Sequence, residues 1–209
     1  MRIKEFEVID IRVPTSDSLL GSDPFHRKPN YSVVLTKLFG GNGLEGISVN
    51  FTIGAGTDWV AYAVRDLMQL IVGRSLDEFT EDPGGFHRML LDHHQLRWLG
   101  DGMGRMVIGS VMNSLWDLWA KEEGKPLWKL LVDLPPKTII DCIDWRYLKD
   151  ALDPAEALEI LEKGLASKTE REQHMSQKGP KAYSTAGWLG LSDDEIVKTI
   201  EEVKKQGLN

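Results

Sequence analysis

One stretch, Val111–Leu131 (VMNSLWDLWAKEEGKPLWKLL), restricts the possible folds more than any other part of the chain. Ile108, Met112, Leu115 and Trp119 recur at helical spacing, and Val107, Val111 and Leu118 form an adjoining stripe. Such a helix is apolar around most of its girth and needs cover on several sides, so it belongs inside a packed domain. Gly124 supplies a C-terminal stop, and Pro126 just beyond it prevents continuation. Leu127–Leu131 follows as a second short apolar segment. Trp116, Trp119 and Trp128 fall within thirteen positions, and each indole commits a large area to packing. Periodicity alone makes this a core helix rather than a ligand site.

The segments before it supply a sheet for that helix to cover. Residues 2–13 are rich in Ile, Val and Phe, with Ile9, Ile11 and Val13 on one face, and Pro14 ends the run. Residues 14–30 are dense in Ser, Asp, Pro and Gly and read as a loop, long enough to be functional. Tyr31–Phe39 is a second strand, Gly40–Gly43 a turn, and Leu44–Ile53 a third strand in which Ile47, Val49, Phe51 and Ile53 alternate. The last two strands form an antiparallel hairpin. Thr57 is a plausible N-cap for a helix to Val72, with Val60, Ala63, Val64, Leu67 and Ile71 as its buried stripe and Gly73 as its stop. Ser75–Phe79 and Gly85–Leu91 read as two shorter helices broken by Asp82-Pro83-Gly84. Residues 1–132 are therefore expected to form an α+β domain, a three-stranded antiparallel sheet followed by helices.

From Thr138 the pattern changes. TIIDCIDW reads as a β-rich run, Asp153-Pro154 opens a long charged helical stretch, and residues 179–191 read as a loop with a possible short strand. Ser192 and Glu195 form a capping box for a last helix with Ile196, Val197, Ile200 and Val203 on its buried face, stopped at Gly207. The order of strand, helix, loop and helix suits the first crossover of an α/β barrel over residues 133–209.

Composition excludes several classes. A net charge of −7 argues against a nucleic-acid partner. The single Cys142 rules out an intrachain disulfide and fits a reducing compartment. No apolar run reaches membrane-spanning length, and the opening MRIKEFEVIDIRV lacks the apolar core of a signal peptide, so a cytoplasmic location is expected.

Few residues carry a chemical signature. His87, His93 and His94 lack a zinc-type spacing, and Gly100-x-Gly102-x-Gly104 departs from a dinucleotide fingerprint. No metal is assigned to them. Gly21-Ser22-Asp23 offers backbone N–H groups, a hydroxyl and a carboxylate in three residues, and Tyr31 adds a phenol. Polyhydroxylated acids need such mixed donors and acceptors. The same residues also suit a plain turn, with Asp23 capping it and Tyr31 packing.

Several segments, in order, resemble a known group. VPTSDSLLGSDPFHRKPNYS, LEGISVNFTIGAGTD, HHQLRWLG, SLWDLWAKEEGKPLWKLLVDLPP, CIDWRY, DALDPAEALEIL, KTEREQHM and AYSTAGWLGLSDDE are similar to segments of L-fuconate-dehydratase-like members of the enolase superfamily, in its mandelate racemase/muconate lactonizing branch. The resemblance covers nearly the whole chain. It implies a capping domain (1–132) followed by the first portion of a modified (β/α)8 barrel (133–209). The implied activity is magnesium-dependent dehydration of a sugar acid, of the L-fuconate or L-galactonate type, to a 2-keto-3-deoxy acid. A base removes the proton α to the carboxylate and the metal stabilises the enediolate. By motif, Gly21, Ser22, Asp23 and Tyr31 become substrate-contacting residues, with Trp98 a weaker candidate and Arg97 a possible partner of the acid's carboxylate. Pro24-Phe25, Gly100–Arg105 and Trp145 depart from the usual pattern.

The resemblance also places the lysine-x-lysine base motif, three metal-binding carboxylates and a histidine base on later barrel strands, which residues 1–209 do not contain. Asp141 and Asp144, on the expected first barrel strand, are not those ligands. No catalytic residue and no metal ligand is therefore assigned within the chain. Two readings follow. One is the N-terminal part of a dehydratase, acting with the missing barrel half or in a homo-oligomer; the other is a non-catalytic cap protein or split-enzyme subunit that binds an acid sugar or a barrel partner.

Overall fold

The computed structural model describes residues 1–179 and 187–207. The strands β1 (Ile3–Arg12), β2 (Ser32–Gly40) and β3 (Glu45–Thr52) form one sheet in the order β1-β2-β3. The hairpin is as expected: β2 and β3 run antiparallel, with Val33 opposite Phe51, Leu35 opposite Val49 and Lys37 opposite Ile47. The helices are α1 (Thr57–Met68), α2 (Asp77–Thr80), α3 (Pro83–Leu91), α4 (Met103–Glu122), α5 (Leu127–Asp133), α6 (Pro136–Cys142), α7 (Pro154–Gly164), α8 (Lys168–Lys178) and α9 (Asp193–Lys205). The chain divides into two compact units, residues 1–11 with 32–163, and residues 12–31 with 164–209.

The Trp-rich helix is the centre of the first unit. Val107, Ile108, Val111, Met112, Leu115, Leu118 and Trp119 of α4 are all buried. Gly124 takes a left-handed conformation (φ 64°) just beyond it, which favours glycine. Phe79 of α2 sits edge-on to Phe86, Trp116 and Trp119 at centroid distances of 5.6, 5.0 and 6.0 Å, a geometry favoured by the ring quadrupoles.

The β3–α4 contact reverses the burial suggested by alternation. Gly46, Ser48 and Asn50 face α4, whereas Ile47, Val49 and Phe51 face away and are exposed. Small and polar groups are buried because the helix backbone comes very close. A Cβ on Gly46 would overlap the Ser114 carbonyl, the Ser48 hydroxyl donates to the Ser110 carbonyl (2.8 Å), and the Asn50 amide donates to the Met106 carbonyl (2.9 Å). Two strand residues advance ~6.8 Å and four helical residues ~6 Å, so the two repeats stay in register over these three contacts. The adjacent edge is covered at one end, where the Asp117 carboxylate accepts from the Ile47 N–H (2.7 Å) and the Lys121 ammonium donates to the Glu45 carbonyl (2.8 Å).

Other expectations need correction. The cap of α1 is Gly56, not Thr57; Thr57 is buried in the first turn, where its hydroxyl donates to the Gly54 carbonyl (2.6 Å). In β1 the buried apolar residues are Ile3 and Val8, while Ile11 and Val13 are exposed. The run TIIDCIDW is not a strand: its first five residues complete a helix, Ile143 and Asp144 are extended, and Trp145 opens a 3-10 turn. Pro136 occupies the first turn of α6, where its missing N–H costs nothing, and Lys137 pairs with Asp141 one turn later (2.8 Å). A parallel strand needs bonded neighbours, and no described strand pairs with this run, so its backbone bonds locally instead. Asp141 thus lies on a helix, Asp144 caps a short 3-10 turn (Trp145–Tyr147), and Cys142 is half-buried at a helix end. The capping box on Ser192 and Glu195 is present, but no residue of α9 is buried. Most of the possible short strand in 179–191 lies outside the described residues.

Candidate functional site

The loop between β1 and β2 belongs to the second unit and is tied at its base. The Thr15 hydroxyl donates to the Pro29 carbonyl (2.7 Å) and accepts from the Tyr31 N–H (2.9 Å), and the Asn30 side chain accepts from the Ser16 N–H (3.2 Å). Within the loop, the Tyr31 hydroxyl donates to the Gly21 carbonyl (2.8 Å). Gly21 has φ 71°, and a Cβ there would overlap the Tyr31 ring, so both the backbone and the space require glycine. Two of the four proposed site residues are thereby joined directly.

Ser22 and Asp23 differ in what they have left to offer. The Ser22 hydroxyl is buried and has no hydrogen-bond partner among the described residues, a state it shares with the Thr36 and Ser110 hydroxyls. The Asp23 carboxylate accepts from the N–H groups of Phe25 (2.8 Å) and His26 (2.7 Å), and its second oxygen lies 3.1 Å from His26 Nδ1. Those bonds to His26 hold its carboxyl below the usual range. Asp23 therefore caps its own turn while its exposed side still faces solvent.

A second arrangement lies wholly within the first unit. A cavity of about 510 Å3 opens between α1, the segment 91–101, the start of α4 and the Trp145–Tyr147 turn. Trp98, the weaker sequence candidate, stands on its rim, whereas the side chain of Arg97 lies outside the described set. Asp144 organises one wall: it accepts from Arg146 Nε and Nη2 (2.9 and 2.7 Å) and from Arg105 Nη1 (3.4 Å). The bonds from Arg146 hold its carboxyl far below the ordinary range, so it is ionised at any working pH. Sequence reading missed Trp59, Tyr62 and Asp66 of this cavity. The available signal was two aromatics three apart on the side of α1 opposite its buried stripe.

Two further groups could in principle be reactive. His87 and Cys142 line a smaller cavity of about 280 Å3. Burial, reinforced by Arg105, lowers the His87 pKa, and burial beside Asp141 raises that of Cys142. Both are uncharged at neutral pH, so the pair holds no ready thiolate. A divalent cation finds no set of ligands either. Among the described residues no three of His, Cys, Asp and Glu come together to hold an ion, and the clustered carboxylate of Asp144 is occupied by guanidinium groups. The described donor set does not fit magnesium.

Fold and sequence together define the class. Residues 22–132 match the family described as "Mandelate racemase / muconate lactonizing enzyme, N-terminal domain", and the chain belongs to that family, within the enolase superfamily. It is 42% identical over 211 residues to mitochondrial enolase superfamily member 1 of Homo sapiens, covering 99% of this chain and 48% of that one. The crystal structure of the human protein superposes with a TM-score of 0.92 at 41% identity, over 99% of this chain and 48% of that one. L-galactonate dehydratase of Hypocrea jecorina is 35% identical over 209 residues, 98% of this chain and 46% of that protein. The chain spans about half the length of these relatives.

Proposed function

We propose that this chain is the N-terminal part of an acid-sugar dehydratase of the L-galactonate/L-fuconate type. In this reading residues 1–132 are the cap, residues 133–209 lead into a barrel, and the Gly21–Asp23 turn with Tyr31 closes over the substrate. The observation that carries it is the turn itself. Tyr31 holds Gly21 in a left-handed conformation, which sets the buried Ser22 hydroxyl, without a partner among the described residues, next to the half-exposed, ionised Asp23 carboxylate. Ser22 offers a hydroxyl that can donate or accept, and Asp23 offers an acceptor, which suits neighbouring hydroxyls of a sugar acid. The 35% identity to an L-galactonate dehydratase supports the substrate class. Magnesium and the base that removes the α proton belong, in this reading, to the other half of the longer relatives, and no described residue takes either role. The half-buried, uncharged thiol of Cys142 and the lack of a described helix long and apolar enough to cross a membrane are compatible with a cytoplasmic site of action.

The test is to supply the chain with a polypeptide matching the remaining half of the relatives and to assay dehydration of L-galactonate and L-fuconate. Activity is expected from the mixture only. Asp23→Ala and Ser22→Ala should each lower kcat/KM by about tenfold or more, the scale of a lost hydrogen bond to a bound hydroxyl. Unchanged activity of Asp23→Ala on every acid that is turned over would remove the loop from the site.

A further inference from the structure

The cavity of the first unit is unused by the reading above, and its chemistry differs from that of a sugar-acid site. Its floor is apolar and buried, formed by Leu67, Val107 and Ile108. Its rim carries four large aromatics that stand in solvent: Trp59, Tyr62, Trp98 and Tyr147, exposed by 69, 71, 80 and 67%. Four such residues around one opening, on helix and turn positions that do not require them for the core, are a surplus that packing leaves unexplained. The volume of about 510 Å3 lies in the range of small-molecule sites.

Charge selects the ligand. The carboxylates of Asp66, Asp92 and Asp101 line the cavity against the guanidinium groups of Arg105 and Arg146. Both arginines are already engaged, Arg105 by Asp101 (3.1 Å) and Asp144, and Arg146 by Asp144. Neither the Asp66 carboxylate nor the Gln95 side chain has a partner among the described residues. Arg105 also lies over the Tyr147 ring, 5.8 Å from its centroid, so one rim aromatic already receives a cation. Among the described side chains the balance is therefore negative, with a free carboxylate beside indole and phenol rings. Electron-rich rings with an unpaired carboxylate attract an organic cation and repel an anion such as a sugar acid.

We infer that this cavity binds a small organic cation, an alkyl- or arylammonium held by the indoles of Trp59 and Trp98 and by the carboxylate of Asp66. The site stands apart from the Gly21–Asp23 turn in its residues and in the charge of its ligand, so it survives or fails independently of the dehydratase reading. The experiment titrates the full chain, labelled with 15N at tryptophan, with phenyltrimethylammonium, and in parallel with L-galactonate as the anionic control. Trp59→Phe and Trp98→Phe assign the indole N–H signals. Saturable shifts of the Trp59 and Trp98 signals are expected with the cation and none with the anion. Asp66→Asn and Trp98→Ala, both at exposed positions, should each weaken binding roughly two- to fivefold, with unchanged far-ultraviolet circular dichroism. Any one of three results would overturn the inference: no saturable shift, an affinity that Asp66→Asn leaves unchanged, or shifts that follow protein concentration rather than ligand and so mark a surface between copies.

Discussion

At the scale of single residues, the Gly21–Tyr31 pair carries more structural constraint than any other pair in the loop. Tyr31→Phe removes the bond to the Gly21 carbonyl and is expected to cost about 0.5–1.5 kcal/mol locally. Gly21→Ala should cost more, because the φ of 71° is unfavourable for alanine and the added methyl overlaps the Tyr31 ring. Hydrogen exchange at the Ser22 amide, which donates to the Leu19 carbonyl (3.0 Å), reads both effects; protection equal to the parent in Gly21→Ala would contradict the packing described. Asp23 adds a pH dependence. Its folded pKa is depressed by bonds from His26, so its contribution to the turn is complete above the unfolded value, about 4. That contribution declines as pH falls below that value and is gone once pH passes below the folded pKa. The amide signals of Phe25 and His26 should therefore move as pH falls below 4, and in Asp23→Asn that movement should be lost.

At the scale of elements, the contact of β3 with α4 determines how closely the sheet is covered. Ser48→Ala removes a donor but leaves the Ser110 carbonyl within its helix, so a loss of about 1 kcal/mol is expected. Gly46→Ala forces the backbones apart and should cost about 1–3 kcal/mol or more. Denaturant midpoints that rank Gly46→Ala below Ser48→Ala test this order. The same contact shows what was legible beforehand. The α4 stripe, the hairpin and the Ser192 capping box could be read from spacing, because each depends on residues within a few positions of one another. The burial of Gly46, Ser48 and Asn50 could not, since it depends on a helix some sixty residues away whose carbonyls happen to repeat in step with the strand. The helical state of Pro136–Cys142 was hidden for a related reason: Ile139, Ile140 and Ile143 favour a strand locally, and only the lack of a described pairing neighbour decides otherwise. In the loop, residue types suggested both a self-capping Asp23 and a binding group; the geometry contains the cap, and the burial of the Ser22 hydroxyl without a partner among the described residues had no sequence signal.

At the scale of the whole molecule, apolar surface remains uncovered in each unit taken by itself. In the first, the outer face of the sheet presents Val49 and Phe51, exposed by 56 and 54%, beside Leu35 and Val33 on the neighbouring strand. In the second, α9 turns Val197 and Ile200 to solvent. Contiguous apolar patches of this kind mark surfaces that pair with something. The edge of β3 is closed at one end by Asp117 and Lys121, which hinders strand addition at that end, and any association is expected to use the apolar sheet face. Val49→Thr with Phe51→Thr keeps β-propensity while removing the apolar face. The double variant should fold with less than about 0.5 kcal/mol change per site. It should also bind less of a hydrophobic dye and sediment as a smaller species than the parent at equal concentration. If the parent proves monomeric, or the variant associates as strongly, the sheet face is not the pairing surface, and the exposed stripe of α9 becomes the next position to substitute.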